Sequence, residues 1–562
     1  MYEPVPGSSE AGAQAHLFKL RRIFRHAMRS KRAVLLITVC SIILFTVVFY
    51  SFHSNTPKPS EIPVFPKHPL ADPNPLPDSE DALTKINEKR REDVRVAMMH
   101  AWKGYKQQAF GKDEVFPKSG NSNNKWGGWA VTLLDALDTL HIMGLTEDFK
   151  EARDYALKID FNHTVADVPD VTFFEMVIRA LGGLLGAYEL SNDAQLLMKA
   201  KEVGDVLAVG FDTPSGIPYQ KVNVNGSKAT FSPAVCIADI GSVQLEYQKL
   251  SELTKDPSYR EKAQKIVDFL DKAKKPYPGL YYTWYSFMEE EFNGIISLGA
   301  TADSWYEYMI KQYILNGKRI DQYRRMYIEF VESAKQKMIF PLHSDPSMVY
   351  AGILSENDLE PVGHFHHLAS FIPGMLALGA KELDRPEDLE LAKKMMKLCY
   401  MLYANSATGL SPELVIFPTN GEKDQHEIKH SFRKLFGYSL ETPLDYDQKY
   451  GYYTVNTNYG LRPETVESLM YLYRITGDKM YQEWGWNIFQ SIQKYTKTTY
   501  GYAAYDDVMD TDPSYAQNDQ MESFFFAETL KYLYLLFSPK DFISLDEFVF
   551  NTEAHPFRKI TS

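Results

Sequence analysis

From about residue 84 onward, apolar residues return every three or four positions in one segment after another: DVRVAMMHAWKGYKQQAF, WAVTLLDALDTLHIMG, FEMVIRALGGLLGAYELS and SVQLEYQKLSELT. That spacing puts an apolar stripe along an α-helix. Short polar runs separate the segments. Thr-Lys-Asp-Pro, Thr-Gly-Asp and Ser-Asn-Asp each stop one helix before the next starts. One group of segments begins with a polar or acidic residue and runs into an apolar helix. These starts fall near Glu175, Ser242, Ser304, Ala369, Glu464 and Ser523, roughly 60–67 residues apart except for one longer gap. A regular period of this kind implies stacked helix pairs. Two all-α arrangements satisfy it: an open solenoid, or a closed ring that gathers all the starts around one mouth. The period does not choose between them. No stretch alternates well enough to build a dominant sheet, although PYPGLYYTWYSF is suited to a hairpin.

A different kind of segment precedes the helices. Residues 33–52, AVLLITVCSIILFTVVFYSF, carry no charge. At about 1.5 Å per residue such a helix spans a hydrocarbon core of about 30 Å. A cleaved signal peptide would have a shorter apolar core near the start and a small-residue cleavage site. Here KLRRIFRHAMRSKR comes first, so residues 1–32 read as a cytosolic basic tail and residues 33–52 as a transmembrane signal anchor of type II. Residues 53–83 are rich in proline and read as an extended lumenal stalk, which leaves 84–562 as the lumenal domain. The sequons at Asn162 and Asn225 agree with that topology.

Composition narrows the partners. A formal net charge of −12 argues against nucleic acid and fits a neutral substrate or a bound cation. The cysteines Cys40, Cys236 and Cys399 are too few for a disulfide scaffold. Aromatic residues make up 14% of the chain, a surplus that fills cores first and lines sugar sites second.

The helix starts carry acids. Glu175 and Arg179 lie four apart on one face of FFEMVIRALGG, as do Asp303 and Glu307 in GATADSWYEYMIKQY. Glu464 and Glu467 follow Pro463, a residue suited to a first helical turn. Glu528 sits in the apolar SFFFAETLKYLYLLF, and Glu413 in GLSPELVIF. Singly, an acid in a first turn complements the helix dipole and needs no chemistry. Together they mean more, because Glu175, Asp303 and Glu528 lie in or beside apolar runs, where an unpaired charge is costly. Several acids converging on a pocket for a neutral substrate suit glycoside hydrolysis. One carboxylic acid protonates the leaving oxygen and another carboxylate acts on the opposite face of the sugar. The histidines of GHFHHL lack the defined spacing and further ligands of a zinc site, so His367 reads as a sugar-pocket residue.

At these residues the chain resembles glycoside hydrolase family 47, the class I α-1,2-mannosidases of the secretory pathway. The matching stretches are TLLDALDTLHIMGL, FEMVIRALGGLL, SVQLEYQKLSELT, GATADSWYEY, RPETVESLMYLYRITGD, MESFFFAETLKYLYLLFS and SLDEFVFNTEAHP, in family order across residues 84–557. The resemblance implies an (αα)7 barrel, and hence the closed ring. It implies inverting removal of terminal α-1,2-linked mannose from high-mannose N-glycans, with a bound Ca2+ ion. Inversion places the opposed carboxyl groups about 6.5–9.5 Å apart, with room for a water. By the same resemblance Glu175 is the general acid, Glu464 the general base, and Asp303 a third acid acting directly or through water. Glu467, Glu528 and Glu553 match acids that hold calcium waters or the terminal sugar. Arg179, Glu246, His367, Glu413 and Arg462 match pocket residues, and Phe524 an aromatic that packs on the sugar ring. In FVFNTEAHPF, Thr552 matches the residue that binds calcium through its hydroxyl and carbonyl oxygens, hard donors of the type this ion takes. The C-terminal segment would then form a hairpin plugging the barrel. A type II anchor with a stalk is similar to the layout of Golgi enzymes, and the address implied is the Golgi or endoplasmic reticulum membrane.

Two positions depart from the family. Its common disulfide starts from a cysteine in HLxCF; here HLASF has Ser370 while Cys399 remains, so Cys236 and Cys399 are expected as free, buried thiols. Members of the endoplasmic reticulum that remove a single mannose carry arginine two residues before the catalytic aspartate, where this chain has Thr301. The smaller side chain implies broader trimming, towards the five-mannose glycan. The alternative function is a non-hydrolytic mannose-glycan-binding protein of glycoprotein quality control, against which the intact Glu175, Asp303, Glu464 and Thr552 speak.

Overall fold

The structure, a computed structural model, describes residues 80–419, 429, 432–433 and 444–560. The apolar segment 33–52 and residues 53–79 of the stalk lie outside the described residues, and within those described no helix is long and apolar enough to cross a membrane. The first helix starts at Glu80, four residues before the domain boundary read from the sequence.

The helices follow one another in pairs. After α1 (Glu80–Gln108) come α2 (Val131–Ile142) with α3 (Thr146–Ala156), α4 (Gly182–Ser191) with α5 (Ala194–Ala208), and α6 (Gln244–Thr254) with α7 (Pro257–Lys272). Then follow α8 (Asp303–Leu315) with α9 (Asp321–Lys337), α10 (Ile372–Leu383) with α11 (Pro386–Ala404), α12 (Glu464–Thr476) with α13 (Met480–Tyr495), and finally α14 (Leu530–Leu536). Polar stops do what the sequence suggested. Lys255 turns left-handed after α6, Asp256 caps α7 by accepting from the Ser258 N–H, and Pro257 takes the first helical position. Asn192 and Asp193 repeat that exchange between α4 and α5, and Gly477 ends α12.

Burial separates the pairs into two layers. Nearly every residue of α2 and α8 is buried, whereas α7 and α9 bury a single stripe. A helix buried all round belongs to the interior layer. The even-numbered helices pack in succession from α2 to α14, and the π-helical turn Phe525–Thr529 leading into α14 returns to α2. The result is a helical barrel with the odd-numbered helices outside.

Small antiparallel sheets decorate it. Ile353–Leu354, Pro361–His366, Leu414–Phe417, Tyr452–Asn456 and Asp445–Asp447 form one sheet in that spatial order. Another joins β1 (Ala234–Cys236), β2 (Trp284–Ser286) and β3 (Glu291–Asn293). The segment PYPGLYYTWYSF therefore does not make a hairpin of its own. Only Tyr277 and Leu280 bridge within it, and its last residues pair instead with β1 and β3. Pro276 and Pro278 lack the N–H groups a ladder needs.

The chain ends in a hairpin of β4 (Phe548–Phe550) and β5 (Pro556–Arg558) that packs against α8 and α4. Asn551 shapes its turn: Oδ1 accepts from the N–H groups of Glu553 (3.0 Å) and His555 (2.7 Å), while Nδ2 donates to Glu246 Oε1 (2.7 Å) and the Ile178 carbonyl (3.1 Å). Glycines on α4 admit the hairpin. A Cβ on Gly182 would lie 2.7 Å from Asn551 Nδ2, and one on Gly186 2.8 Å from Asp138 Oδ2. The fully buried His555 ring sits between two carboxylates of α2, with Nδ1 2.7 Å from Asp138 and Nε2 3.1 Å from Asp135. Burial works against its charge, but the two aspartates outweigh it and raise its pKa. Lys531 of α14 completes the cluster, 2.9 Å from Asp138 and 2.7 Å from the Ala554 carbonyl.

Cys236 and Cys399 are free and buried, as expected. Ser370 lies beside the Cys399 thiol, where the resemblance implies a bridging cysteine.

Removing the imidazolium leaves two buried carboxylates facing each other. His555→Ala should lower the unfolding free energy by about 3–5 kcal/mol, read as a fall in Tm. A wild-type Tm would show that the cluster does not hold the hairpin in place.

Candidate active site

A cavity of about 320 Å3 opens at the N-terminal ends of the inner helices, lined by Glu175, Asp303, Glu464, Arg179, Arg462, Glu467, Phe524, Glu528, Thr552 and Glu553 among others. Glu175 lies in the helical turn Phe173–Met176 that leads towards α4, Asp303 is the first residue of α8, and Glu464 is the first of α12. Helix N-termini present unpaired N–H groups and favour negative charge; the Ser304 N–H donates to Asp303 Oδ1 at 2.9 Å. Two of the approaches are widened into π-helical turns, Val177–Leu181 and Phe525–Thr529. These carry Arg179 and Glu528, and such turns recur at functional sites.

Arg179 organises one wall. Its Nε donates to Glu175 Oε2 at 2.8 Å, and its Nη1 meets Ser523 Oγ at 3.0 Å, Asp135 Oδ2 at 3.4 Å and Glu553 Oε1. Burial opposes its charge, but Glu553, Glu175 and Asp135 outweigh it and hold the guanidinium protonated. Its plane also lies 5.9 Å from the Phe524 ring and 5.8 Å from that of Trp126. On the opposite part of the chain, Arg462 grips Glu413, with Nε 2.7 Å from Oε1 and 2.9 Å from Oε2. Burial pushes the Glu413 carboxyl up, and Arg462 more than reverses that, so it stays low.

In the remaining acids burial outweighs any cationic partner. Burial pushes Asp303 up to about 7, and Glu464 and Glu307 add to it. Burial also lifts Glu467 to about 8, against the pull of Lys311. Glu528 is raised by burial and then by Glu464 and Glu467. Glu553 is raised too, burial outweighing Arg179. Thr552, at the hairpin tip, has its N–H 3.2 Å from the Tyr308 hydroxyl and faces this group of acids. Together they offer only oxygen donors to a cation.

Three expected pocket residues are not on the cavity wall. Glu246 is fully buried beneath the hairpin, where Oε1 accepts from Tyr308 (2.7 Å) and Asn551 (2.7 Å). His367 stands behind Glu464, with Nδ1 2.9 Å from Glu464 Oε2 and Nε2 2.7 Å from the Tyr403 hydroxyl. Glu413 stands behind Arg462. Each acts on the cavity through a neighbour. The other histidines of GHFHHL diverge: His366 lies 3.3 Å from Glu413, and the His364 ring packs near Phe432.

Glu307, read in the sequence as an acid at a helix start but given no role there, lines the cavity. Other residues escaped the sequence reading. Asp239 lines the cavity too, and burial pushes its carboxyl up to about 6. Lys311 pairs with Glu307. Asp135, Asp138 and His555 carry the hairpin cluster. The signal for the two aspartates was present, since both are acids inside the apolar LLDALDTL, like Glu528 in its own run.

Carboxylates converging from different helices on one cavity, with arginines fixing some and burial raising the pKa of others, are the arrangement that acid–base hydrolysis uses. The chain belongs to glycosyl hydrolase family 47, whose profile matches residues 97–559. It is 39% identical over 495 residues to an endoplasmic reticulum mannosyl-oligosaccharide 1,2-alpha-mannosidase of Homo sapiens, covering 86% of this chain and 66% of that protein, just under two thirds of its length. It is 39% identical over 488 residues to a mannosyl-oligosaccharide 1,2-alpha-mannosidase of Arabidopsis thaliana, covering 84% of this chain and 79% of that protein. Among solved structures, an α-1,2-mannosidase from Trichoderma reesei is similar with a TM-score of 0.77 at 29% identity, over 84% of this chain and 99% of that one.

Glu246 gives the site region a pH signature. Burial raises its carboxyl from 4.5 to about 7, and its Oε2 has no hydrogen-bond partner. The folded state thus holds this proton more tightly than the unfolded one. The cost of ionising it is absent below 4.5, grows as the pH rises, and is complete above about 7. Glu246→Gln removes the titration. Its stability relative to wild type should improve between acidic and mildly alkaline pH by at most roughly 3 kcal/mol, measured as Tm. A pH-independent difference would remove Glu246 as the titrating group.

Proposed function

We propose that this chain hydrolyses terminal α-1,2-linked mannose of high-mannose N-glycans, with inversion and with Ca2+ at the cavity floor, on a complete (αα)7 barrel. The observation that carries this reading is the meeting of Glu175, Asp303 and Glu464, from three different inner helices, on one cavity of a family 47 chain.

The residues divide the work. Arg179 fixes one oxygen of Glu175 and leaves the other for the leaving oxygen of the glycoside. Asp303, pushed up to about 7 chiefly by burial, is protonated in a large share of molecules near neutral pH and can pass that proton on directly or through water. His367 bridges the Tyr403 hydroxyl, 2.7 Å from Nε2, and Glu464 Oε2, 2.9 Å from Nδ1, and in the tautomer with its proton on Nδ1 it donates to Glu464. That contact fixes one oxygen of Glu464 and leaves the other to take a proton from the attacking water. Phe524 supplies an apolar face for the sugar ring.

Thr552 with Glu467, Glu528 and Glu553 fits calcium in donor type, since all are hard oxygens. Among the described residues no three His, Cys, Asp or Glu side chains stand close enough to chelate a metal directly. The Thr552 oxygens and water would therefore supply most of the shell. Bound there, the ion supplies positive charge that orients sugar hydroxyls, and the buried acids around it would ionise more readily.

Thr301 lies on the cavity wall, two residues before Asp303, and supports broader trimming, towards the five-mannose glycan. The reading of 33–52 as a type II anchor followed by a stalk supports a lumenal domain in the Golgi or the endoplasmic reticulum, with the Golgi favoured by that layout.

The protein incubated with a nine-mannose oligosaccharide should release β-mannose first, seen by NMR, stop when a chelator is added, and resume when calcium is restored. Release that ignores chelation would remove calcium from the reading, and tight glycan binding without release would make the chain a lectin of glycoprotein quality control. Thr301→Arg should narrow the product range towards loss of fewer mannose residues, read by mass. An unchanged product profile would sink the link between Thr301 and breadth.

A further inference from the structure

One tryptophan stands apart from the others. Trp102, Trp129 and Trp305 are fully buried in the core, but Trp284 is 37% exposed. It sits in the middle strand of the sheet formed by β1, β2 and β3. The register sets Val235 opposite Tyr285 and Tyr285 opposite Phe292; one position along, Cys236 lies opposite Trp284 and Trp284 opposite Asn293. Residues directly opposite each other across antiparallel strands share a face. The face of Val235, Tyr285 and Phe292 packs inward, with Tyr285 and Phe292 against Phe269. The other face therefore carries Cys236, Trp284 and Asn293 in a row.

That row starts at the catalytic cavity. Cys236 lines it, and its thiol is influenced by the charge of Asp303. Each strand then steps outward by about 4.8 Å. Trp284 comes one strand from the cavity wall, and Asn293 two. Gly294 follows, with φ +91°, and a Cβ there would lie 3.2 Å from Trp284 Cδ1. Its lack of a side chain keeps that edge of the indole clear.

We propose that Trp284 and Asn293 form an outer glycan subsite, which holds a mannose residue of the oligosaccharide beyond the one inside the cavity. This rests on the glycosidase reading. The chemistry fits a neutral pyranose. An indole face accepts the apolar C–H side of the ring, and a carboxamide both donates to and accepts from its hydroxyls. Continuity with the cavity wall through Cys236 selects the substrate's own outer residues as occupant. A long glycan reaches this row; a disaccharide filling the cavity does not.

The test compares two substrates on the whole protein, a nine-mannose oligosaccharide and α-1,2-mannobiose. Trp284→Ala should raise KM for the long glycan roughly two- to tenfold more than KM for the disaccharide. Trp284→Phe should fall between, and Asn293→Ala should move the same ratio in the same direction. Equal effects on both substrates, or none, would overturn the subsite. Thermal melts check that each variant folds; should Trp284→Ala not fold, Trp284→Phe and Asn293→Ala decide by the same ratio. If the wild type cleaves neither substrate, the glycosidase reading fails. Calorimetric binding of the nine-mannose glycan to wild type and Trp284→Phe then decides the subsite alone, with undiminished affinity in the variant counting against it.

Discussion

The ion cluster around His555 is the interaction on which the other parts of the molecule lean. Asp135 and Asp138 belong to α2, Lys531 to α14 and His555 to the terminal hairpin. The cluster thus sits on the seam where the last inner helix meets the first, and it fastens the hairpin to that same seam. Each of these groups alone would be a buried charge with a cost of several kcal/mol. Only the full set is balanced. Closing the ring and seating the hairpin are therefore one event in energetic terms, and a partly assembled cluster is worse than none.

The site inherits its floor from that event. Thr552 and Glu553 are neighbours of His555 in the turn that Asn551 organises, and Arg179 reaches from Glu553 and Asp135 to Glu175. An unbroken chain of polar contacts runs from the structural seam to the catalytic wall. The wall itself follows from topology. A ring of helix pairs puts the N-terminal ends of its inner helices at one mouth, so acids that would be isolated caps in a solenoid become neighbours. Low local polarity then separates them by role. Glu413, held by Arg462, stays readily ionised, while Asp303 and Glu467, without a dominant cationic partner, keep their protons to higher pH.

Much of this could be read in the sequence, because the informative features are local. Helix faces show in the three-to-four spacing, and the Asn192–Asp193, Lys255–Asp256–Pro257 and Gly477 stops show as residue types with known backbone preferences. The choice between solenoid and ring was not local: it depends on contact between α2 and the approach to α14, as between Asp135 and Ser523, 388 residues apart, and only the family resemblance pointed to it. The strands were too short to display alternation, so β1 to β3 went unseen and Trp284 was folded into the wrong hairpin. Glu246, His367 and Glu413 look like wall residues by type, but Asn551, Glu464 and Arg462 stand between them and the cavity. Which of two adjacent polar groups faces the space is a matter of packing, and no spacing rule encodes it.

The position of the hairpin along the chain has a consequence for biosynthesis. Residues 548–558 are the last described element to leave the ribosome, yet they carry the floor of the cavity and the counter-charge of its seam. Contacts this distant in sequence form late. Until they arrive, the acids and apolar inner faces of the helices lack their lining, the kind of exposed surface that makes folding intermediates prone to aggregate. A chain lacking residues 548–558 has the helices but not the floor of the cavity, so truncation before the hairpin removes the site as a whole rather than weakening it by degrees.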